Sequence, residues 1–370
     1  MIKRLRRLYR GVIGLVDIQK KGTVIFFAPV EKQYFSKWEY YQVDLEMLEL
    51  SFSEVIVCHS YWVLIKALLF RRPRLVYCWW WHRSAICVLL SRLFRVPVYI
   101  TGAVHMYDES GAPDFFSKSV IYKLACRISW RLATRNLFIS KSQYRQICSH
   151  EKIHNPSVLM SSLRHSYKPV KISESMPIRD GEVKISLLTI VWMTKYQLKR
   201  KSIFETLEGL ALLLDSGVTN FEWIIGGGKD NGSAMLEDRI NQLKLENHVF
   251  MRFDLSDSEK SELYGNADLY IQPSYYEGFG NAVLEAMSFG VPAVVSRNTA
   301  QAEVIGDSGL VVEEIDAESI AHTLEKYIKF SSAERFAMRT KVHEVISDRH
   351  LFERRLQQFI VFNELDELKS

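Results

Sequence analysis

The strongest constraint in this sequence is the stretch from Ser274 to Val294, SYYEGFGNAVLEAMSFGVPAV, together with the apolar run Ala267–Pro273 before it. The run reads as a buried strand. Gly278 and Gly280 then let the backbone turn sharply and approach a ligand with no Cβ in between. From Asn281 to Phe289, the residues Val283, Leu284, Ala286 and Met287 fit one buried helical face. Gly290 suits the position just past a helix end, and Pro292 stops any continuation. Ala293–Val295 resumes as a buried strand. Strand, glycine loop, helix and strand in so few residues point to parallel α/β layers, and the same alternation recurs along the chain.

A helix start behind a glycine loop is an anion site, because its first amides lack intrahelical partners and the helix dipole adds partial positive charge. Glu277 stands in the loop, and Glu285 lies on the helix about 7 Å of axial rise beyond Gly280. Two carboxylates therefore bracket the place a diphosphate would take. Carboxylates repel phosphate, so their partners there would be sugar hydroxyls. An isolated pair of glutamates reads as solvated surface charge. Loop, helix start and spacing together suggest a nucleotide sugar instead.

This segment resembles the E-x7-E signature of the GT4 family of retaining glycosyltransferases with the GT-B fold, matched by Glu277 and Glu285. The likeness continues through Gln301–Ile305, Gly309–Val312 and Asp316–Tyr327. It implies an α/β protein in which two Rossmann-like parallel-sheet domains face each other across a cleft, with a C-terminal helix crossing back to the first. It implies transfer of a hexosyl unit, with retention, from a UDP-, GDP- or ADP-sugar, and neither a cofactor nor a metal; no D-x-D sequence occurs.

The resemblance places the donor against Gly226, Gly227, Gly278, Phe279, Gly280, Asn281, Leu284 and Glu285, with Glu285 on ribose hydroxyls and Glu277 on the donor hexose. It implies two cations six residues apart on the diphosphate. Lys201 fits the second, Lys195 stands where arginine is usual, and Arg200 is the substitute. His105, at the carboxyl end of a strand, occupies the place of a histidine near the transferred sugar, with Asp108 a weaker companion. Glu277, His105 and Lys201 are thus the expected catalytic residues. The loop Ala28-Pro29-Val30-Glu31 lacks the Gly-Gly-x-Glu stretch that many relatives carry there.

A chain of 370 residues exceeds what one hydrophobic core usually holds. Four segments are expected: an acceptor-binding domain at 1–170, a linker at 171–182, a nucleotide-sugar domain at 183–346, and a helix at 347–370 returning toward the first domain. Charge divides in the same way, with 28 basic and 13 acidic residues in 1–180 against 20 and 30 in the remainder. A basic half implies an acidic partner, either an anionic membrane surface, a phosphorylated or lipid-linked saccharide acceptor, or nucleic acid. No nucleic-acid-binding module is present, which sets the last aside.

Between Phe115 and Asn136, Lys118, Lys123, Arg127, Arg131 and Arg135 form a basic stripe at helical spacing. Tyr122 and Trp130 beside it would suit lipid headgroups. Arg71-Arg72-Pro73-Arg74 with Trp79-Trp80-Trp81, and Arg92 with Phe94-Arg95, point the same way. The other reading is an ordinary surface helix whose apolar face is core. No apolar run reaches the roughly 18 residues of a membrane span, and Gly11–Val16 is too short for a signal-peptide core. Cysteines 58, 78, 87, 126 and 148 are odd in number and lack zinc spacing, as expected of structural thiols in a reducing compartment.

The expected protein is cytoplasmic, peripheral at the inner face of the membrane, and acts on a lipid-linked saccharide or lipopolysaccharide-type acceptor in bacterial surface-polysaccharide synthesis. A competing class is a catalytically silent GT-B subunit that binds a partner transferase or a membrane. A third is an epimerase or phosphorylase on the same fold.

Overall fold

The computed structural model describes residues 22–36, 38–104, 106, 114–165, 169–170 and 184–368. His105, Asp108 and the linker 171–182 lie outside the described residues.

Apolar runs rich in Val, Ile and Phe make strands buried on both faces, and such strands need helices above and below. The first six strands are β1 (Thr23–Phe27), β2 (Glu54–Cys58), β3 (Leu75–Trp79), β4 (Val98–Gly102), β5 (Arg135–Phe138) and β6 (Pro156–Val158). They form a parallel sheet in the order β2-β1-β3-β4-β5-β6. Phe27 is level with both Cys58 and Cys78, so neighbouring strands end along one edge. The crossover helices are α1 (Glu39–Ser51), α2 (Tyr61–Arg71), α3 (Trp81–Leu93), α4 (Val120–Leu132) and α5 (Lys141–Cys148). Ser60, Ser119 and Ser140 begin α2, α4 and α5 by accepting the amides of Val63, Tyr122 and Gln143.

The second sheet runs β12-β11-β10-β7-β8-β9. Its strands are β7 (Ile185–Ile190), β8 (Phe221–Gly227), β9 (Val249–Phe253), β10 (Leu269–Gln272), β11 (Ala293–Ser296) and β12 (Leu310–Val312). Between them lie α6 (Lys195–Arg200), α7 (Ile203–Asp215), α8 (Ser233–Gln242), α9 (Asp257–Asn266), α10 (Asn281–Ser288) and α11 (Ala300–Ile305). α12 (Ala317–Ile328), α13 (Ser332–Val345) and α14 (Phe352–Glu367) complete the chain. Ser256 with Glu259 and Ser331 with Glu334 form reciprocal capping boxes at α9 and α13. Behind α10, the amides of Gly290 and Val291 bond back to the carbonyls of Met287 and Ala286, the expected helix stop.

Each sheet is buried on two sides. On one face of the first sheet, Leu64, Ala67, Trp81, Val88, Cys126 and Trp130 from α2, α3 and α4 pack against the strands. On the other, α1 and α14 supply Tyr41, Met47, Phe352, Leu356 and Phe359. α14 therefore crosses back to the first sheet. Polar contacts fasten it there: Arg135 grips Asp366 through two hydrogen bonds of 2.7 and 2.8 Å. The buried Arg355 donates to Asp44 of α1 and to the carbonyls of Leu159 and Met160.

After Thr194 the chain forms the six-residue helix α6, begun by Thr194 Oγ1 accepting the Gln197 amide. One expectation changes. Trp130 and Arg135 do not belong to an outward basic and aromatic stripe. Trp130 is fully buried against α3, and Arg135 is committed to Asp366.

Candidate active site

The second sheet gathers its predicted residues at the carboxyl ends of β7, β8 and β10. α6 ends at Arg200, and Lys201 follows it. Ser202 adopts a left-handed conformation, φ 52°, which turns the chain into α7 and leaves Lys201 at the corner. Lys201 Nζ donates to Gln272 Oε1 over 2.9 Å. Burial lowers the Lys201 ammonium to about 8; Glu277 opposes that shift, and Arg200 reinforces it.

Gln272, the last residue of β10, also accepts from Tyr270 Oη, at 3.0 Å. Its amide nitrogen faces Glu277 Oε2 at 3.5 Å. Gln272 thus joins Lys201 to Glu277. The sequence reading passed over it. The one signal was a polar residue closing an apolar strand.

Arg200 is buried, and Nη1 donates to Glu277 Oε2 and to the Tyr276 carbonyl, each at 2.7 Å. Its other donors reach Gln197 Oε1 at 2.7 and 3.2 Å. The guanidinium therefore faces the carboxylate rather than the open cleft, which removes it from the set of groups poised to meet a phosphate. Lys195 is exposed at the first turn of α6, and its amide donates to Asn231 Oδ1. A cation there opposes the helix dipole, so local stability does not explain it.

The glycine loop behaves as its sequence demands. Gly280 has φ 105°, and a Cβ on it would stand 2.8 Å from Gln301 Cγ. Beneath it, Gln301 Nε2 is buried without a hydrogen-bond partner among the described residues. Phe279 is buried in the core of the second sheet, so at that position the loop offers its backbone rather than its side chain to the cleft. At the end of β8, Gly227 has φ 149°, and a Cβ would fall 1.8 Å from the Val191 carbonyl oxygen. Gly226 precedes it in the strand, and Gly228 lies under the exposed indole of Trp192, a second residue that the sequence reading missed.

Glu285 projects from α10 and accepts on Oε2 from Lys260 Nζ at 2.6 Å and Tyr264 Oη at 3.0 Å. Its Oε1 takes no hydrogen bond from the described residues. Asn281, Leu284 and Glu285 line one wall of a cavity of about 20 Å³; Glu39, Tyr40, Val43 and Arg164 line the other. Burial raises the Glu39 carboxyl above its usual range against the pull of Arg164, and the Glu285 charge adds to the rise.

The first sheet meets this site along its own carboxyl edge. Tyr276 Oη donates to the Val104 carbonyl at 3.3 Å. A Cβ on Gly278 would lie 3.7 Å from Ala103 Cβ and from Ile139 Cδ1. Glu303 of α11 accepts the first amides of α5, Lys141 at 2.9 Å and Ser142 at 3.1 Å. Two strands along that edge, a cavity of about 520 Å³ opens among Pro29, Val30, Lys32, Trp38, His59 and Arg83. The Trp38 indole stacks on Tyr41 at 5.8 Å.

Comparison with known proteins agrees with this geometry. Residues 189–343 match the family described as Glycosyl transferases group 1. An O-antigen chain mannosyltransferase B of Escherichia coli is 35% identical over 127 residues, 34% of this chain. That match spans about a third, 33%, of the relative's own length. An O-antigen chain mannosyltransferase of Salmonella typhimurium is 23% identical across 80% of this chain and 78% of its own. Among solved structures, sucrose-phosphate synthase from Thermosynechococcus elongatus superposes with a TM-score of 0.73 at 14% identity, over 95% of this chain and 100% of the other. An Anabaena protein in complex with UDP and glucose gives 0.68 at 15% identity, over 92% and 99%. Residues 189–343 thus match the group 1 glycosyl transferases, and the chain is built on the GT-B fold.

Proposed function

We propose that the protein transfers a hexosyl unit from a nucleoside-diphosphate sugar, with retention of anomeric configuration, to a lipid-linked saccharide presented at an anionic membrane surface. The observation that carries the reading is the chain Lys201–Gln272–Glu277–Arg200, which sets one ammonium and one carboxylate beside a glycine-bounded helix start. Lys201, Lys195 and the amides around Gly280 and Asn281 would receive the diphosphate; Glu285 Oε1 would take ribose hydroxyls. Glu277, held by Arg200, would fix the donor hexose. Donor entry would widen the gap between α10 and α1, which is smaller than a nucleotide.

In the reaction, an acceptor hydroxyl bonds to the anomeric carbon as the bond from that carbon to the β-phosphate oxygen breaks, on the same face of the sugar. The hydroxyl proton passes to the departing phosphate oxygen. Lys201 and the loop amides stabilise the charge growing there, so the scheme calls on no metal. The acceptor would lie along the carboxyl edge of the first sheet, with its next sugar in the cavity beside Trp38, whose flat apolar ring suits a pyranose face. Relatives named as mannosyltransferases make GDP-mannose the first donor to try.

The test is incubation of purified protein with GDP-mannose, UDP-glucose and ADP-glucose, with and without a membrane extract as acceptor, followed by mass spectrometry. A hexose added to lipid-linked saccharide supports transfer. Turnover to an altered donor without acceptor supports the epimerase or phosphorylase class, and no turnover of any donor supports the silent subunit.

A further inference from the structure

We propose that the outer face of α2, α3 and α4 is a membrane-docking surface that lies flat on an anionic bilayer. These helices pack side by side on one face of the first sheet. Their inward residues supply the core, so their outward residues would ordinarily be polar. They are not: Trp62 is 76% exposed, Phe70 78%, Leu93 76% and Ile121 80%, with Leu69, Leu89 and Leu124 about half exposed between them. Soluble surfaces seldom carry so many large apolar side chains on adjoining helices without a partner.

The charge pattern names that partner. Not one of the 11, 13 and 13 residues in these helices is acidic, although the chain holds 43 Asp and Glu. Basic residues flank the apolar ones instead. Lys66, Arg71, Arg72, Arg92, Arg95 and Arg131 are all exposed. Apolar side chains on a face of one sign suit the boundary of lipid headgroups and acyl chains, where cations meet phosphate while rings and branched chains enter the hydrocarbon. A protein partner would call for mixed charge on such a rim. No described helix is long and apolar enough to cross a membrane, so contact would be along the surface.

The orientation serves the cleft. α2 begins two residues after His59, at the carboxyl end of β2, and α3 begins at the end of β3, so their first turns border the edge that faces the second sheet. Trp62 and Val63 thus stand at the cleft end, and Phe70, Leu93 and Phe94 at the far end. A bilayer seated along this face would bring lipid-borne acceptors beside the cavity at Trp38. The inference rests on the reading that the acceptor is lipid-linked, but its test needs no donor.

The test is flotation with vesicles of pure phosphatidylcholine and of phosphatidylcholine containing about one third phosphatidylglycerol, using the full chain and the triple variant Phe70→Asp, Leu93→Asp, Ile121→Asp. The wild type should float with anionic vesicles at least tenfold more than with neutral ones, and lose most of that at 0.5 M salt. The variant should stay at the bottom, melt at the wild-type temperature, and keep transfer to a water-soluble saccharide. Equal flotation of wild type and variant, or no flotation of the wild type, overturns the proposal. So does a wild-type dimer that the variant disperses, because the face would then belong to a second copy. Loss of transfer in both proteins would instead count against the proposed reaction.

Discussion

Arg200 Nη1 and Glu277 Oε2 lie 2.7 Å apart in a pair whose side chains are only 10% and 17% exposed. The same guanidinium holds the Tyr276 carbonyl and Gln197, so it fixes both the carboxylate and the backbone that carries it. An enclosed charge held this firmly has its rotamer chosen before substrate arrives, which is what a sugar-orienting group requires.

Removing Arg200 should therefore do two things. Arg200→Ala removes the ion pair of Glu277 and should cost about 3 kcal/mol of folding stability, as loss of one partner of a buried pair commonly does. It should also lower kcat by about a hundredfold, roughly 2.7 kcal/mol, while donor KM changes far less. Arg200→Lys should recover little, because one ammonium cannot span Glu277, Tyr276 and Gln197 together. Urea melts and steady-state kinetics check both parts.

The Lys201 shift sets a pH window with opposite signs for activity and stability. In the proposed reaction the donor diphosphate meets the ammonium, so kcat/KM should fall as pH rises through about 8. Between about 8 and the ordinary lysine value near 10.4, the unfolded chain keeps this proton and the folded one does not, so folding stability from this group rises with pH. Lys201→Met should accordingly raise the melting temperature below pH 8 and abolish transfer. Thermal melts and pH–rate profiles on both proteins would show it.

Glu285 should govern nucleotide affinity rather than turnover. Glu285→Ala should weaken GDP or UDP binding about tenfold, the loss of one charged hydrogen bond to a diol. Lys260→Ala, which frees the carboxylate to turn, should weaken it less. Calorimetric titration reads both, and unchanged affinity in the two variants would remove Glu285 from the ribose.

Gly280→Ala should be far more damaging than its size suggests. The left-handed backbone costs about 1–3 kcal/mol for any other residue, and the new Cβ meets Gln301 Cγ at 2.8 Å. The start of α10 must then shift, carrying Asn281 with it. Gly265→Ala, on α9 with nothing within 4 Å of the new Cβ, should instead leave stability unchanged or raise it slightly. Comparing the two melts separates strain from composition.

Much of the fold was legible because its signals are local. The glycine loop, the helix from Asn281, the stop at Gly290 and the strands on either side of them depend on neighbours within a few residues. What escaped depends on residues far apart in the chain. Gln272 matters only because β10 ends beside Lys201, 71 positions away, and Arg135 is withdrawn from the surface by Asp366, 231 positions away. Helical spacing alone leaves two readings of Trp130, lipid headgroups or core, and its packing against Trp81 selects the core. The cations around α6 read alike in the sequence as partners of a diphosphate, and only the contacts of Arg200 with Glu277, Tyr276 and Gln197 set it apart from Lys195.

In the proposed reaction Glu277 is the residue that fixes the hexose. Transfer from GDP-mannose and UDP-glucose to membrane-extract acceptor should be measured for wild type and Glu277→Ala, together with nucleotide affinity for each. Transfer should fall by at least a hundredfold, with nucleotide affinity within about threefold of wild type, if this carboxylate orients the hexose and not the nucleotide as proposed. Transfer by Glu277→Ala at the wild-type rate would contradict that role.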